Sequence, residues 1–178
     1  INCDHVNPRY LSDAELSHNI VATVAFEDCL NNAAAVAVVT PSNLLRGTAR
    51  ALSHYASSDV PIVICSKGIE AKSSLLAHQI FEAEMGNPER IAVLSGHNHA
   101  EEVIAGQHAA SVIACRNMQT AEHLHNIFAS PTFRTYASSD IVGVEVCAAA
   151  KNVIAIAIGM SYGLGLGDNT AATLMTSG

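Results

Sequence analysis

Short apolar runs alternate along the chain with stretches whose apolar residues recur every three to four positions. "IVATV" (20–24) reads as a short strand and "FEDCLNNA" (26–33) as a short helix. "AAVAVVT" (34–40) is a continuous, largely β-branched run, the pattern of a strand buried on both faces. Beyond Pro41, residues Leu44, Leu45, Ala49 and Leu52 recur at helical spacing. Pro41 suits the start of that helix and Ser42 its first turn. "PIVICS" (61–66) and "IAVLSG" (91–96) predict two further buried strands, with a helix over 73–86 between them that Gly86 closes. A helix over 100–107, a strand over 109–115, a helix over 120–130 and a strand over 133–138 complete the alternation.

From Asp140 the pattern changes to a long helix reaching about Met160, a Gly-rich turn "GLGLG", and a second helix that Asp168 caps. Buried strands alternating with helices predict an α/β fold, a mostly parallel sheet with helices on both faces. The switch near residue 139 predicts a boundary into an all-α region. A dinucleotide fold opens with a strand and G-x-G-x-x-G, and residues 1–60 contain no such loop. "GLGLG" follows a helix and does not qualify. Either the opening strand and loop lie outside this sequence, or the fold binds no dinucleotide. The first residue is not Met, and the last residues fall within an apparent helix, so a piece of a longer chain is expected.

Composition narrows the class. Hydrophobic residues make up 49% and charged residues 14%, which excludes disorder, and with aromatics at 4% the core must be Ala, Val, Ile and Leu. The net charge of −7, with nine Lys and Arg forming no stripe, argues against nucleic acid and an anionic membrane. Five cysteines without a C-x-x-C pair read as reduced thiols of a cytoplasmic protein. The opening "INCDHVNPRY" lacks the apolar segment of a signal peptide, and the 146–160 run is too short for a bilayer and carries Lys151 and Asn152.

Five stretches carry candidate chemistry. Pro41-Ser42 follows a strand, where open α/β sheets bind ligands, although an ordinary turn explains it equally. Lys67 in "ICSKGIE" also follows a strand, beside Gly68, and can reach an oxyanion or lie solvated. In "LSGHNHAEEV", Gly96 and the amides opening the next helix can hold a polar group. His97, His99, Glu101, Glu102 and His108 offer metal-binding side chains, but at no standard zinc spacing, and no metal is expected. On the long helix, Val144, Cys147, Ala148 and Lys151 share one face, continued by Ile154, Ala155 and Ile158. An ammonium in such surroundings loses solvation, which suits a general base; a buried carboxylate partner would serve as well. Asp168 in "GLGLGDNTAATL" is read as a helix cap.

Taken in order, "NPRYLSDAELSHNI", "VVTPSNLLR", "SKGIEAKSSLL", "LSGHNHAEEV", "FRTYASSDIVGVEV" and "AAAKNVIAIAIGMSYGLGLGDNTAATLMTSG" resemble the NAD(P)-dependent glycerol-3-phosphate dehydrogenases over essentially all 178 residues. The resemblance implies a partial dinucleotide-binding Rossmann domain over 1–138 and the start of an all-helical substrate domain over 139–178. It implies that Lys151 takes the C2 hydroxyl proton as hydride passes to NAD or NADP, with Asn152 adjoining it in the same motif. Lys67 becomes a second active-site lysine touching substrate and cofactor. Gly96 and Asn98 match substrate-contacting positions, Ala100 a cofactor-contacting one, and Pro41 and Ser42 the turn lining the cofactor cleft.

The resemblance further implies a small phosphorylated substrate, glycerol 3-phosphate supply for phospholipid synthesis, and no nucleic-acid or membrane partner. Apolar surface on a truncated helical domain favours self-association and leaves a homodimer open. Four residues depart from the family's pattern, three of them together: His97, Asn98 and His99 stand for Pro, Ser or Thr, and Phe. Ser177 replaces a usual arginine. The fingerprint loop and the phosphate-gripping Arg-Asn pair are expected outside the sequence, so this chain alone is expected to turn over negligibly. A catalytically impaired binding module is the alternative, and a metal protein using His97, His99 and Glu102 a third.

Overall fold

A computed structural model describes residues 1–177. Two short strands, β1 (Val6–Asn7) and β2 (Leu11–Glu15), form an antiparallel hairpin at the start. After helix α1 (Phe26–Leu30) come β3 (Val36–Val38), α2 (Leu45–Tyr55), β4 (Ile62–Ile64), α3 (Ala77–Met85) and β5 (Ile91–Gly96). The chain continues through α4 (Ala100–Ile104), β6 (Ala109–Cys115), α5 (Met118–Phe128) and β7 (Phe133–Ser138) to α6 (Ile141–Gly163) and α7 (Asp168–Ser177).

Strands β3 to β7 form one sheet in sequential order, parallel at β3–β4, β4–β5 and β6–β7, and antiparallel at β5–β6. The mostly parallel α/β expectation holds. Ile62, Val63 and Ile64 of β4 are wholly buried because the strand is paired on both sides and covered on both faces. One face packs Ile62, Ile64, Ile91 and Val93 against Leu45, Leu52, Ile80 and Phe81 of α2 and α3. The opposite face packs Val63, Ala92, Ile113 and Cys115 against Ala121 and Leu124 of α5.

Several expectations need correction. Residues 20–24 form no strand; Val21 and Val24 are exposed and have no neighbouring strand to pair with. Among the described residues β3 is the outermost strand of the sheet and Val39 is 74% exposed, so the run at 34–40 is not buried on both faces. Helix α3 begins at Ala77 rather than Ser73, because Ser74 takes a positive φ of 58° in the preceding loop. Asp168 is the first residue of α7, not a residue preceding it.

The long helix differs most. Asp140 starts α6 by accepting from the Gly143 amide at 2.8 Å, and the helix runs 23 residues to Gly163. It therefore extends past the 146–160 run at both ends, and by length and composition it is long and apolar enough to cross a membrane. It is not sealed in a core. Only Ile141, Glu145 and Ser161 are buried along it, while Val146, Val153, Ile156 and Met160 are exposed.

Candidate active-site crevice

The carboxyl ends of β3, β4 and β5 lie side by side, and each carries a candidate residue just beyond it. Open α/β sheets bind ligands along this edge because strand ends and helix starts leave their amides and side chains unpaired there. After β3, Thr40 accepts a hydrogen bond from the Ser66 hydroxyl, which ties the ends of β3 and β4 together. Ser42 Cβ stands 3.4 Å from the position a Cβ would take on Gly68. Gly68 itself has φ +134°, a backbone state that side-chain-bearing residues rarely adopt, so glycine permits the turn that aims Lys67.

Lys67 Nζ donates to the Gly96 carbonyl at 2.7 Å, bridging β4 and β5. An ammonium has three N–H donors, so two remain for a ligand. Partial burial lowers the Lys67 pKa below the usual lysine value, and the positive charge of Lys151 lowers it further. That repulsion means the two ammonium groups lie within reach of each other's charge, and an anionic group near both would relieve it.

Gly96 is fixed by strand pairing. A Cβ there would lie 2.3 Å from Ser111 Oγ and 2.4 Å from the Ala110 carbonyl oxygen, so β5 and β6 approach too closely for any side chain. Asn98 donates to the buried Ser111 hydroxyl at 2.6 Å, which anchors the loop leaving β5. Lys67, Gly96, Asn98 and Ala100 line one crevice of about 530 Å³, with apolar walls from Val39, Leu94 and Ile104 among others. Pro41 and Ser42 lie outside that lining, exposed beside the Lys67 loop. Lys151 is half-buried on α6 and Asn152 is exposed; neither lines the crevice, although the charge of Lys151 is felt at Lys67.

The buried charge of α6 is Glu145, six residues before Lys151. Glu145 borders a small recess with Ser66, Lys67, Gly68, Ser95 and Ala148. It pairs with His78, which sequence reasoning passed over; a lone carboxylate within an apolar helix was the available signal. Behind Lys67, Arg46 makes paired hydrogen bonds to Glu70 and a further one to Glu84, tying the loop after β4 to α2 and α3. His97 and His99 are exposed, and among the described residues no group of three or more His, Cys, Asp or Glu could hold a metal.

A mostly parallel sheet with a ligand crevice at its carboxyl edge, followed by a long helix, is the Rossmann-type α/β class of fold. Residues 1–121 match the family described as NAD-dependent glycerol-3-phosphate dehydrogenase N-terminus, and residues 140–178 match its C-terminus. The chain belongs to the NAD-dependent glycerol-3-phosphate dehydrogenase family.

A glycerol-3-phosphate dehydrogenase [NAD(P)+] of Corynebacterium diphtheriae is 41% identical over 100% of this chain and 54% of its own. That of Moorella thermoacetica is 41% identical over 97% of this chain and 51% of its own. The crystal structure of glycerol-3-phosphate dehydrogenase from Coxiella burnetii superposes with a TM-score of 0.85 at 32% identity, covering 98% of this chain and 53% of that one. The Saccharomyces cerevisiae glycerol-3-phosphate dehydrogenase gives 0.87 at 28% identity, with coverage of 98% and 52%. The chain thus spans about half the length of the curated relatives it matches.

Proposed function

We propose that the whole protein interconverts sn-glycerol 3-phosphate and dihydroxyacetone phosphate with NAD or NADP, in the cytoplasm, supplying glycerol 3-phosphate for phospholipid synthesis. Residues 1–138 act as the partial dinucleotide-binding domain and 139–178 as the start of the helical substrate domain. The observation that carries this reading is the crevice at the carboxyl edge of the sheet, where Lys67 is fixed by its bond to the Gly96 carbonyl and lies within reach of the charge of Lys151. The crevice fits the cofactor in kind: apolar walls suit a flat ring, and Lys67 at the rim suits an anionic group. When bound, NAD(P) supplies the hydride acceptor or donor.

The remaining work falls to the chain's own residues. Lys67, held by Gly96, orients substrate oxygens with its two free N–H groups. Lys151 takes the C2 hydroxyl proton on oxidation and returns it on reduction, while Asn152 stands beside it. Gly96 and Asn98 contact substrate, and Pro41, Ser42 and Ala100 flank the cofactor. Helix α6 acts as the junction between the two domains of a soluble enzyme, in keeping with its anchorage through Ile141 and Glu145. Its exposed apolar face favours self-association, with a homodimer as the simplest form. Lys151→Ala in the full-length protein is expected to lower the rate at least about a hundredfold, the scale of a lost general base. A smaller drop in steady-state assays would remove Lys151 from that role.

One observation favours a second reading. The Asn98 amide, at a position the family uses for substrate, donates to Ser111. If that bond withdraws Asn98 from ligands, the protein is a catalytically impaired binding module. Turnover of the phosphorylated substrate by the full-length protein separates the two.

A further inference from the structure

Helix α6 packs its first turns against the ends of β5 and β6, and one contact it makes there is unusual. Ile141 joins the core and Val144 packs against it, both in the first turn. Beyond that turn most of the helix is half-buried or exposed until Ser161. Glu145 is the exception: its carboxylate accepts from the His78 backbone amide at 3.1 Å and from His78 Nδ1. His78, on α3, is completely buried, and its other ring nitrogen finds no partner among the described residues. Among the described residues, no other hydrogen bond joins α6 to the strands and helices of the sheet layer.

Two bonds from one carboxylate, to the backbone and to the ring of the same residue, fix more than distance. A single contact leaves a helix free to turn about its axis, whereas a two-point grip on one residue does not. We infer that the His78–Glu145 pair is the pin that sets the rotation of α6, and through it the position of Lys151 relative to Lys67. Lys151 follows Glu145 on the same rigid element, about 9 Å further along the axis at 1.5 Å per residue. Glu145 also borders the recess beside Lys67 and Gly68, so the pin lies next to the loop against which Lys151 must be placed. Glu145 and His78 are therefore positioning residues, and this assignment rests on the proposed dehydrogenase reading.

The test uses the full-length protein with Glu145→Ala, Glu145→Gln and His78→Ala, each checked for folding by circular dichroism. Glu145→Ala is expected to lower kcat at least about tenfold, because small misplacements of a reacting group are costly. Its KM for NAD(P)H should stay within about threefold of the parent. Glu145→Gln keeps an oxygen for the His78 backbone amide, and its NH2 can donate to Nδ1 of the other neutral imidazole tautomer, so it is expected to recover most of kcat. A purely structural pair would lower thermal stability without this split. Should Glu145→Ala fail to fold, His78→Ala, which leaves the carboxylate with the backbone bond, carries the same expectation in milder form. A folded Glu145→Ala or His78→Ala with kcat within twofold of the parent overturns the assignment, as does a Glu145→Gln as impaired as Glu145→Ala.

Crystal structures of the parent and Glu145→Ala proteins keep the two readings apart. A parent without turnover defeats the dehydrogenase reading alone, while an unmoved Lys151 in the variant defeats the pin alone.

Discussion

Replacing Gly96 by alanine adds one methyl group where β5 and β6 come closest. The new Cβ would lie 2.3 Å from Ser111 Oγ, 2.4 Å from the Ala110 carbonyl oxygen and 2.9 Å from Ser111 Cα. All three fall inside the roughly 3.5–4.0 Å at which non-bonded carbon atoms rest. Two of the three atoms belong to the backbone, so no change of rotamer relieves them and the strands must part. Overpacking costs about 1–3 kcal/mol, and the backbone clash puts this variant at the upper end, about 3 kcal/mol. In a domain of this size each kcal/mol shifts Tm by about 2–4 °C, so Tm is expected to fall by about 6–12 °C. Thermal unfolding followed by circular dichroism, with urea titration for the free energy, measures both quantities. Adding Ser111→Ala removes only the Oγ clash and is expected to restore about 1 kcal/mol. A loss below about 1 kcal/mol for Gly96→Ala, or full recovery in the double variant, would show that the strands have slack and refute the reasoning.

Three further outcomes can be checked. Hydrogen bonds from Arg46, reinforced by Ser73, push the Glu70 pKa down to about 2. A lowered carboxylate contributes stability that is complete above its unfolded value of about 4.3 and disappears as pH falls through the folded value. Glu70→Gln is therefore expected to lower the urea midpoint near neutral pH and to converge with the parent near pH 2, about where the folded group titrates. Lys151→Met removes a like charge that acts on Lys67, so Lys67 is expected to titrate higher, while burial still holds it below the ordinary lysine value. The pH dependence of Lys67 acetylation, read by mass spectrometry, measures this; an unmoved or lowered titration would mean the two ammonium groups do not share a space. Ser111→Ala frees the Asn98 amide from its 2.6 Å bond and is expected to raise KM for the phosphorylated substrate more than it alters kcat, in steady-state assays of the full-length protein.

The central sheet was legible because its strands are buried runs bounded by turn residues, and β5, β6 and β7 fall where the pattern places them. Strand direction was not, since apolar runs read alike in either sense; only the pairing shows β6 antiparallel to β5. The hairpin β1–β2 escaped notice because its strands are short and mostly polar. The run around Val36–Val38 looked central, yet its burial depends on a neighbour that periodicity cannot supply. In the site, Lys67 and Gly96 stood out as motif residues next to strand ends, and the structure joins them. Glu145 did not stand out: the apolar setting drew attention to Lys151, whereas the residue that the fold buries and pairs is the carboxylate. Side-chain partners such as Ser111 for Asn98 lie far apart in sequence, and nothing local to either residue announces the bond.

The single antiparallel pairing in the sheet also bears on the order in which the molecule assembles. Reversal at β6 lets the chain turn back from Gly96 to Ala109 and then cross from Cys115 to Phe133, both shorter than the crossovers from Val38 to Ile62 and from Ile64 to Ile91. Closing a loop costs only about 0.6 kcal/mol more per doubling of length, but rates follow contact order, and the shorter closures come first. Strands β5, β6 and β7 then form the early nucleus, with β5 offering its other edge as a template for β4 and afterwards β3. Pulse-labelled hydrogen exchange would see amides of β6 protected before those of β3. The end of β4 that leads to Lys67 is thus expected to be laid onto a β5 already in place, with β3 added after it.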